Sequence, residues 1–357
     1  MTSAAACLGG RWATGLREVT TDLAALDASG RWAVALPYDG DPVCARFDSW
    51  ADQPPHGTVG EWAGPAAGDW ESSMDEHGYE AAVSSIRDSI AKGDVYQANV
   101  CRVLQAPLPD AGRSDVAALH RLLDRGNPAP YSGFLRLPDV GVHVVTASPE
   151  LFLSVTVDGA GRRVATSGPI KGTGRTPADL TDKDAAENVM IVDLVRNDLS
   201  IVSRPGTVSV PRLLEVEEHP GLVHLASYVQ GVLLDEVRWP DLVDAAFPPG
   251  SVTGAPKLAA LRLIAGLEPA DRGFYCGAMG WVDADTGEAE LAVTIRTFWI
   301  DGVMLKFGTG AGITWGSDPH AEWAETELKA ARLIGLAGHP WPGGPGERAE
   351  PWQAGAP

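Results

Sequence analysis

The stretch YEAAVSSIRDSIAKGDVYQANVCRVL, Tyr79–Leu104, changes its hydrophobic period midway. Tyr79, Val83, Ile86 and Ile90 recur at i, i+4, i+7 and i+11, the stripe of an amphipathic helix that Gly93 closes. VYQANVCRVL then alternates with period two, Tyr96, Ala98 and Val100 forming an apolar face and Gln97 and Asn99 sharing the other. Two amides on the inner face of a strand suggest a cavity wall; on a solvated face they would carry no function. The same alternation of helix and strand patterns continues without a linker or a short-period repeat to about residue 336.

Upstream, residues 1–75 mix short apolar runs such as WAVALPY and PVCARF with Pro and Gly, and read as a strand-rich region packed on the core. Downstream, 337–357 is rich in Gly and Pro and reads as a disordered tail. The expected organisation is therefore 1–75, a catalytic domain over 76–336, and the tail.

The 357 residues suffice for one large domain or two ordinary ones. With 28 Lys+Arg against 47 Asp+Glu the formal charge is −19, so no long-range positive field exists to attract nucleic acid or an anionic membrane. An anionic substrate would need local cations or a metal. Cys7, Cys44, Cys101 and Cys276 have neither metal-ligand spacing nor a disulfide framework, which suits free thiols in a reducing cytoplasm. The start, MTSAAACLGGRW, lacks the basic and apolar regions of a signal peptide, and no run is apolar enough to span a bilayer.

Two further segments read as helices. In DKDAAENVMIVDLVRNDLS, Asp184 and Glu187 share a face with Ile191 and Leu194. In SDPHAEWAETELKAARLIG, Asp318 is an N-cap with Pro319 in the first turn. Glu322, Glu325 and Lys329 follow on one face, with Ala324, Leu328 and Ala331 as a neighbouring apolar stripe. Carboxylates converging from two helices would make a hard-oxygen site for Mg²⁺; separately, each set is an ordinary solvated face.

The loop TSGPIKGTGR, Thr166–Arg175, sets Lys171 between apolar and glycine residues, where it could be a solvated turn residue, a phosphate ligand or a nucleophile. FPPGSVTGAPK ends in Lys257 but has the wrong glycine spacing for a Walker A loop. FGTGAGITWGS, with Gly308, Gly310 and Gly312, could be an anion-binding nest or a tight connection between strands. Glu150 follows a proline at a strand start, His224 lies in an apolar run, and Arg296 is a lone cation in a strand; each suits a structural partner or an anionic ligand. There is no hydrolase triad or nucleophile elbow, hence no glutaminase unit within this sequence.

In order along the chain, GDVYQANVCR, SPELFL, GPIKGT, ENVMIVDLVRNDLS, VHLAS, PPGSVTGAPK, RGFYCGAMGW, IRT, GTGAGI and EWAETELKA resemble the chorismate-utilising enzymes, from about Gly78 to Leu336. Ten such motifs in order are specific where each alone is weak. The resemblance is greatest to the aminodeoxychorismate branch, with the anthranilate, isochorismate and salicylate synthases as sister branches. It implies an α+β fold, a single large domain of two antiparallel sheets packed as a sandwich with helices outside. It implies Mg²⁺ on Glu187 and Glu325, assisted by Asp184 and Glu322. Lys329, Arg296, Tyr275, Gly310 and Gly312 fall on positions that hold substrate carboxylates. Thr173, Thr253 and His224 fall within the substrate pocket, and Glu150 on the general acid for the departing hydroxyl. Gln97 stands where the water-activating branches carry a lysine, which favours ammonia as nucleophile. Lys171 stands where anthranilate synthases carry alanine, and in the aminodeoxychorismate branch it would attack ring carbon C2 before ammonia attacks C4.

The implied partners are chorismate and a glutamine amidotransferase subunit. The implied reaction is Mg²⁺-dependent amination to 4-amino-4-deoxychorismate. The alternatives are the anthranilate reaction, which releases pyruvate, and a non-catalytic chorismate-binding subunit. The chain departs from the family in GRTPAD, where an RPRG-like turn is usual, and in a longer connection between Glu150 and Lys171. Its first 75 residues do not match the family's tryptophan-binding elements.

Overall fold

A computed structural model describes residues 3–174, 176–219 and 222–338. The tail expected over 337–357 thus lies, from residue 339, outside the described residues, as does the side chain of Thr173. Six helices are described: α1 Glu76–Lys92, α2 Val116–Gly126, α3 Asp182–Val202, α4 Trp239–Ala246, α5 Lys257–Leu267 and α6 Pro319–Ala337. The strands in chain order are β1 Ala5–Leu8, β2 Arg11–Thr20, β3 Arg31–Leu36, β4 Val43–Ala51, β5 Glu71–Ser72 and β6 Gln97–Pro107. They continue with β7 Tyr131–Leu137, β8 Val142–Ser148, β9 Leu151–Val157, β10 Arg163–Gly168, β11 Ile170–Gly174 and β12 Ser209–His219. The last are β13 Leu222–Val232, β14 Gly254–Ala255, β15 Ala278–Asp283, β16 Glu288–Val293, β17 Thr297–Asp301 and β18 Met304–Ile313.

The α+β architecture is as expected, and its strand pairing is antiparallel and continuous. From β6 the ladder runs through β18, β17, β8, β7, β1, β2, β4, β3, β15, β16, β9 and β10 to β13, which also pairs with β11 and β12. Residues far apart along that ladder share one core: Cys101 and Val103 of β6 and Leu135 of β7 join Ala33 of β3, Leu153 of β9 and Leu291 of β16. A ladder folded back on itself over a common core gives the sandwich. The strands of the first 51 residues are integral to it, since β1 pairs with β7 and β3 with β15.

The helix ends follow local chemistry. Asp75 caps α1 by accepting from Gly78 N at 2.8 Å, and Gly93 closes it at φ 84°, a conformation glycine adopts without strain. Asp318 caps α6 by accepting from Ala321 N at 2.9 Å, a contact worth about 1 kcal/mol.

Three expectations change. Tyr96 is 73 % exposed and not part of an apolar face, because β6 starts one residue later and is buried on both sides. Leu328 is 77 % exposed, and the packed stripe of α6 is Glu322, Thr326, Ala330, Leu333 and Ala337, so part of its buried face is polar. Lys171 lies in strand β11, where a register shift at Gly172 (φ 79°) takes the place of the expected loop. FGTGAGITWGS is likewise mostly the strand β18, paired to β6 from Met304 to Ile313. Its glycines make room: a Cβ on Gly308 would lie 2.0 Å from Tyr275 Cγ.

Candidate active site

Where β6 and β18 pair, Gly312 stands opposite Asn99. A Cβ there would meet Gln97 Nε2 at 2.3 Å, Asn99 Oδ1 at 3.1 Å and Lys171 Nζ at 3.2 Å, so three polar groups from two strands and a bulge converge on one bare glycine. Gln97 is fully buried, yet among the described residues neither its Oε1 nor its Nε2 has a partner, nor does Asn99 Oδ1. Orphaned buried amides of this kind cost about 1–3 kcal/mol each unless a ligand completes them.

The loop before α5 supplies the floor. Lys171 Nζ donates to Ser251 O at 3.1 Å, and Asn99 Nδ2 donates to the same oxygen at 3.4 Å. Glu150, 4 % exposed, lies on the other side of Ser251. Burial pushes its carboxyl up to about 7, against the opposing effects of the Ser251 hydroxyl, the Lys171 charge and the Ile170 N–H. Thr253 is buried, its hydroxyl turned onto Pro249 O at 3.1 Å. His224 is buried on β13 opposite Thr173.

Arg272 and Glu268 hold this floor. The pair meets at 2.6 Å, both side chains buried; Arg272 also donates to Val252 O at 2.9 Å, and Glu268 accepts from Cys101 N at 2.8 Å. Arg296 differs. It sits at φ 53°, a left-handed conformation that costs a bulky residue about 1–3 kcal/mol. Burial lowers its pKa, and no carboxylate pairs with it among the described residues. Tyr275 lies inside the core cluster under Gly308, and burial holds its phenol well above the usual range.

A second set of groups joins α3 to α6. Lys183 Nζ lies 3.7 Å from Glu187 Oε1 and 3.7 Å from Glu322 Oε1. Burial raises the Glu187 carboxyl, against Lys171 and Lys183; the charges of Glu322 and Asp184 raise it further. Burial also acts upward on Glu325, but Lys329, Lys183 and Lys171 outweigh it and hold that carboxyl low. Lys329 Nζ binds Glu325 at 2.6 Å and donates to Gly310 O at 3.1 Å. Asp184 Oδ2 closes the capping box of α3, accepting from Thr181 N at 2.8 Å and from its hydroxyl at 2.7 Å. Gly172 permits the approach of Lys171's strand: a Cβ on it would lie 2.8 Å from Asp184 Cβ.

The donor set suits a hard divalent cation in its chemistry, being all carboxylate oxygen drawn from two helices, with neither Glu187 nor Glu322 accepting a hydrogen bond among the described residues; no three of the four carboxylates bring oxygens within 4.8 Å of one another there. Sequence reasoning missed Ser251, Lys183 and the Arg272–Glu268 clamp. Lys183 and Arg272 each left the same sequence signal, an i,i+4 spacing to Glu187 and to Glu268. Lys257 is structural, bound to Asp198 at 2.7 Å and Ala246 O at 3.1 Å.

The antiparallel sandwich thus brings the buried amides of Gln97 and Asn99 to Lys171, and sets carboxylates of α3 and α6 around Lys183. The chain belongs to the chorismate binding enzyme family, which matches residues 44–335. It is 38 % identical over 309 residues to anthranilate synthase component 1 of Streptomyces coelicolor, covering 83 % of this chain and 56 % of that protein. It is 36 % identical over 277 residues to aminodeoxychorismate synthase component 1 of Salmonella typhimurium, covering 74 % of this chain and 58 % of that one. The crystal structure of anthranilate synthase component I from Streptococcus pneumoniae superposes with a TM-score of 0.73 at 25 % identity, over 87 % of this chain and 84 % of that one. The chain spans about half the length of the curated relatives it matches.

Proposed function

We propose that this chain aminates chorismate at C4, giving 4-amino-4-deoxychorismate, with ammonia delivered by a glutamine amidotransferase partner in the cytoplasm. The observation that carries this reading is Lys171 Nζ, held on Ser251 O beside the unpartnered Gln97 amide and Asn99 Oδ1, with buried Glu150 on the same serine. A lysine there is a nucleophile within reach of a protonated acid.

The Lys171 amine attacks C2; both ring double bonds shift by one position and the C4–O bond breaks. Glu150 gives its proton to the departing oxygen, which leaves as water. Ammonia then attacks C4, both double bonds shift back, and the C2–N bond breaks to return Lys171. The ammonium formed at C4 passes one proton to the Glu150 carboxylate, restoring the acid. Arg296 and Lys329 pair with the substrate carboxylates, His224, Thr173 and Thr253 border the ring, and Tyr275, Gly310 and Gly312 shape the wall. When bound, Mg²⁺ on Glu187 and Glu325, flanked by Asp184 and Glu322, would supply charge for a substrate carboxylate and fix the ring's orientation.

Relatives named anthranilate synthase component 1 carry a second reading, direct attack of ammonia at C2 with loss of pyruvate. Incubating the chain with chorismate, Mg²⁺ and an ammonium salt, followed by mass spectrometry, separates the two. The amino-deoxy product without pyruvate is expected; anthranilate with pyruvate would overturn the reading.

A further inference from the structure

Lys183 stands on the first turn of α3, next to Asp184 and one turn before Glu187. Three lysines touch carboxylates around this cleft, and Lys183 is the loosest. Lys329 and Lys257 sit at hydrogen-bond distance from theirs, 2.6 and 2.7 Å, and each also donates to a backbone carbonyl. Lys183 reaches neither Glu187 nor Glu322 closer than 3.7 Å, too long for a hydrogen bond. It touches two carboxylates on two different helices, which expose only 14 % and 6 % of their side chains while the lysine exposes 52 %. Among the described residues no other cation is in ion-pair distance of either.

We propose that Lys183 is a resident counter-cation, bridging α3 to α6 when no divalent ion is bound and withdrawing to solvent when one enters between the same carboxylates. The inference rests on the reading of this cluster as a Mg²⁺ site. Two nearly buried carboxylates, each 3.7 Å from the same ammonium, repel each other across it. An ammonium between them relieves that repulsion by Coulomb attraction alone. A half-exposed four-carbon stem without a hydrogen bond to break retracts at little cost. The same position cannot hold the ammonium and a divalent ion together, so the lysine holds the two helices in place and lowers the affinity for metal.

The test uses Mn²⁺ as a paramagnetic probe for the same oxygen donors, without chorismate. Free Mn²⁺ is followed by electron paramagnetic resonance for the parent chain, Lys183→Met and Lys183→Arg. Lys183→Met should bind Mn²⁺ about three- to tenfold more tightly, the range expected for removing one partly screened charge. With EDTA it should melt below the parent, and saturating Mn²⁺ should remove that difference. Lys183→Arg should stay near the parent in both measurements. Unchanged or weaker Mn²⁺ binding by Lys183→Met, with the parent still binding, overturns this role and leaves the proposed reaction untouched. Absence of Mn²⁺ binding in all three chains overturns both this role and the Mg²⁺ reading.

Discussion

Two arginines show opposite uses of the same side chain. Arg136 and Asp115 are each 1 % exposed; Arg136 Nη1 meets both carboxylate oxygens at 2.6 Å, and its other nitrogens reach Thr58 O and Ser3 O at 2.9 Å. Asp115 in turn caps α2 and accepts from Gly60 N at 2.6 Å. Arg296, half-buried, pairs with no carboxylate among the described residues and holds a left-handed backbone. The first network is closed and serves to tie β7, α2 and the N-terminal segment together. The second is open, like the amides of Gln97 and Asn99, and an anionic ligand would complete it.

The largest expected effect lies wholly on the open side. Lys171→Ala should lower the rate of amination at C4 by at least about 10³-fold, the scale of losing a covalent nucleophile. Chorismate binding by calorimetry should stay within about threefold, because the carboxylate partners remain. Unchanged turnover would reduce Lys171 to a strand residue whose amine merely satisfies Ser251 O.

The comparison itself breaks or holds on a matched pair of substitutions. Arg136→Met strands the Asp115 carboxylate in the core and should cost about 3–5 kcal/mol in urea denaturation. Arg296→Met removes an uncompensated charge and should change stability by no more than about 0.5 kcal/mol, while raising the KM for chorismate about tenfold or more. Equal destabilisation by both would mean that Arg296 has a structural partner and that the cleft is not open in the sense argued.

Much of this was legible in the sequence, and the failures have physical reasons. The close of α1 at Gly93 and the cap of α6 at Asp318 were readable because both act on backbone groups within a few residues. The polar stripe of α6 was not, because Glu322 and Thr326 are buried by facing elements while Leu328 is left in water. Alternation misread Tyr96 because β6 is covered on both faces, and the period-two rule assumes one solvated side. The convergence of Gln97, Lys171 and Gly312 joins three segments far apart in the chain, which no local pattern encodes. Asn99 was visible as Gln97's companion, but its unpartnered oxygen is a tertiary fact.

The smallest effect tests whether Glu150 belongs to the open side at all. Burial raises its pKa from 4.5 to about 7, so near neutrality the folded chain still holds a proton on Glu150 that the unfolded chain has released. Stability therefore falls as pH rises from 4.5 through 7, since over that range the folded state binds more protons. Glu150→Gln cannot ionise and escapes this loss. It should match the parent below the unfolded-state pKa and become more stable above pH 7, by on the order of 3 kcal/mol. Activity moves in the opposite sense: the variant should lose about 10²–10⁴-fold in amination at any pH, and the parent's rate should fall as Glu150 loses its proton above pH 7. A residue that weakens the fold when charged yet is needed by the reaction when protonated is one placed for chemistry. Were the stability gap to stay closed while the rate fell, Glu150 would be ionised at neutral pH, and the proton for the departing hydroxyl would have to come from elsewhere in the cleft.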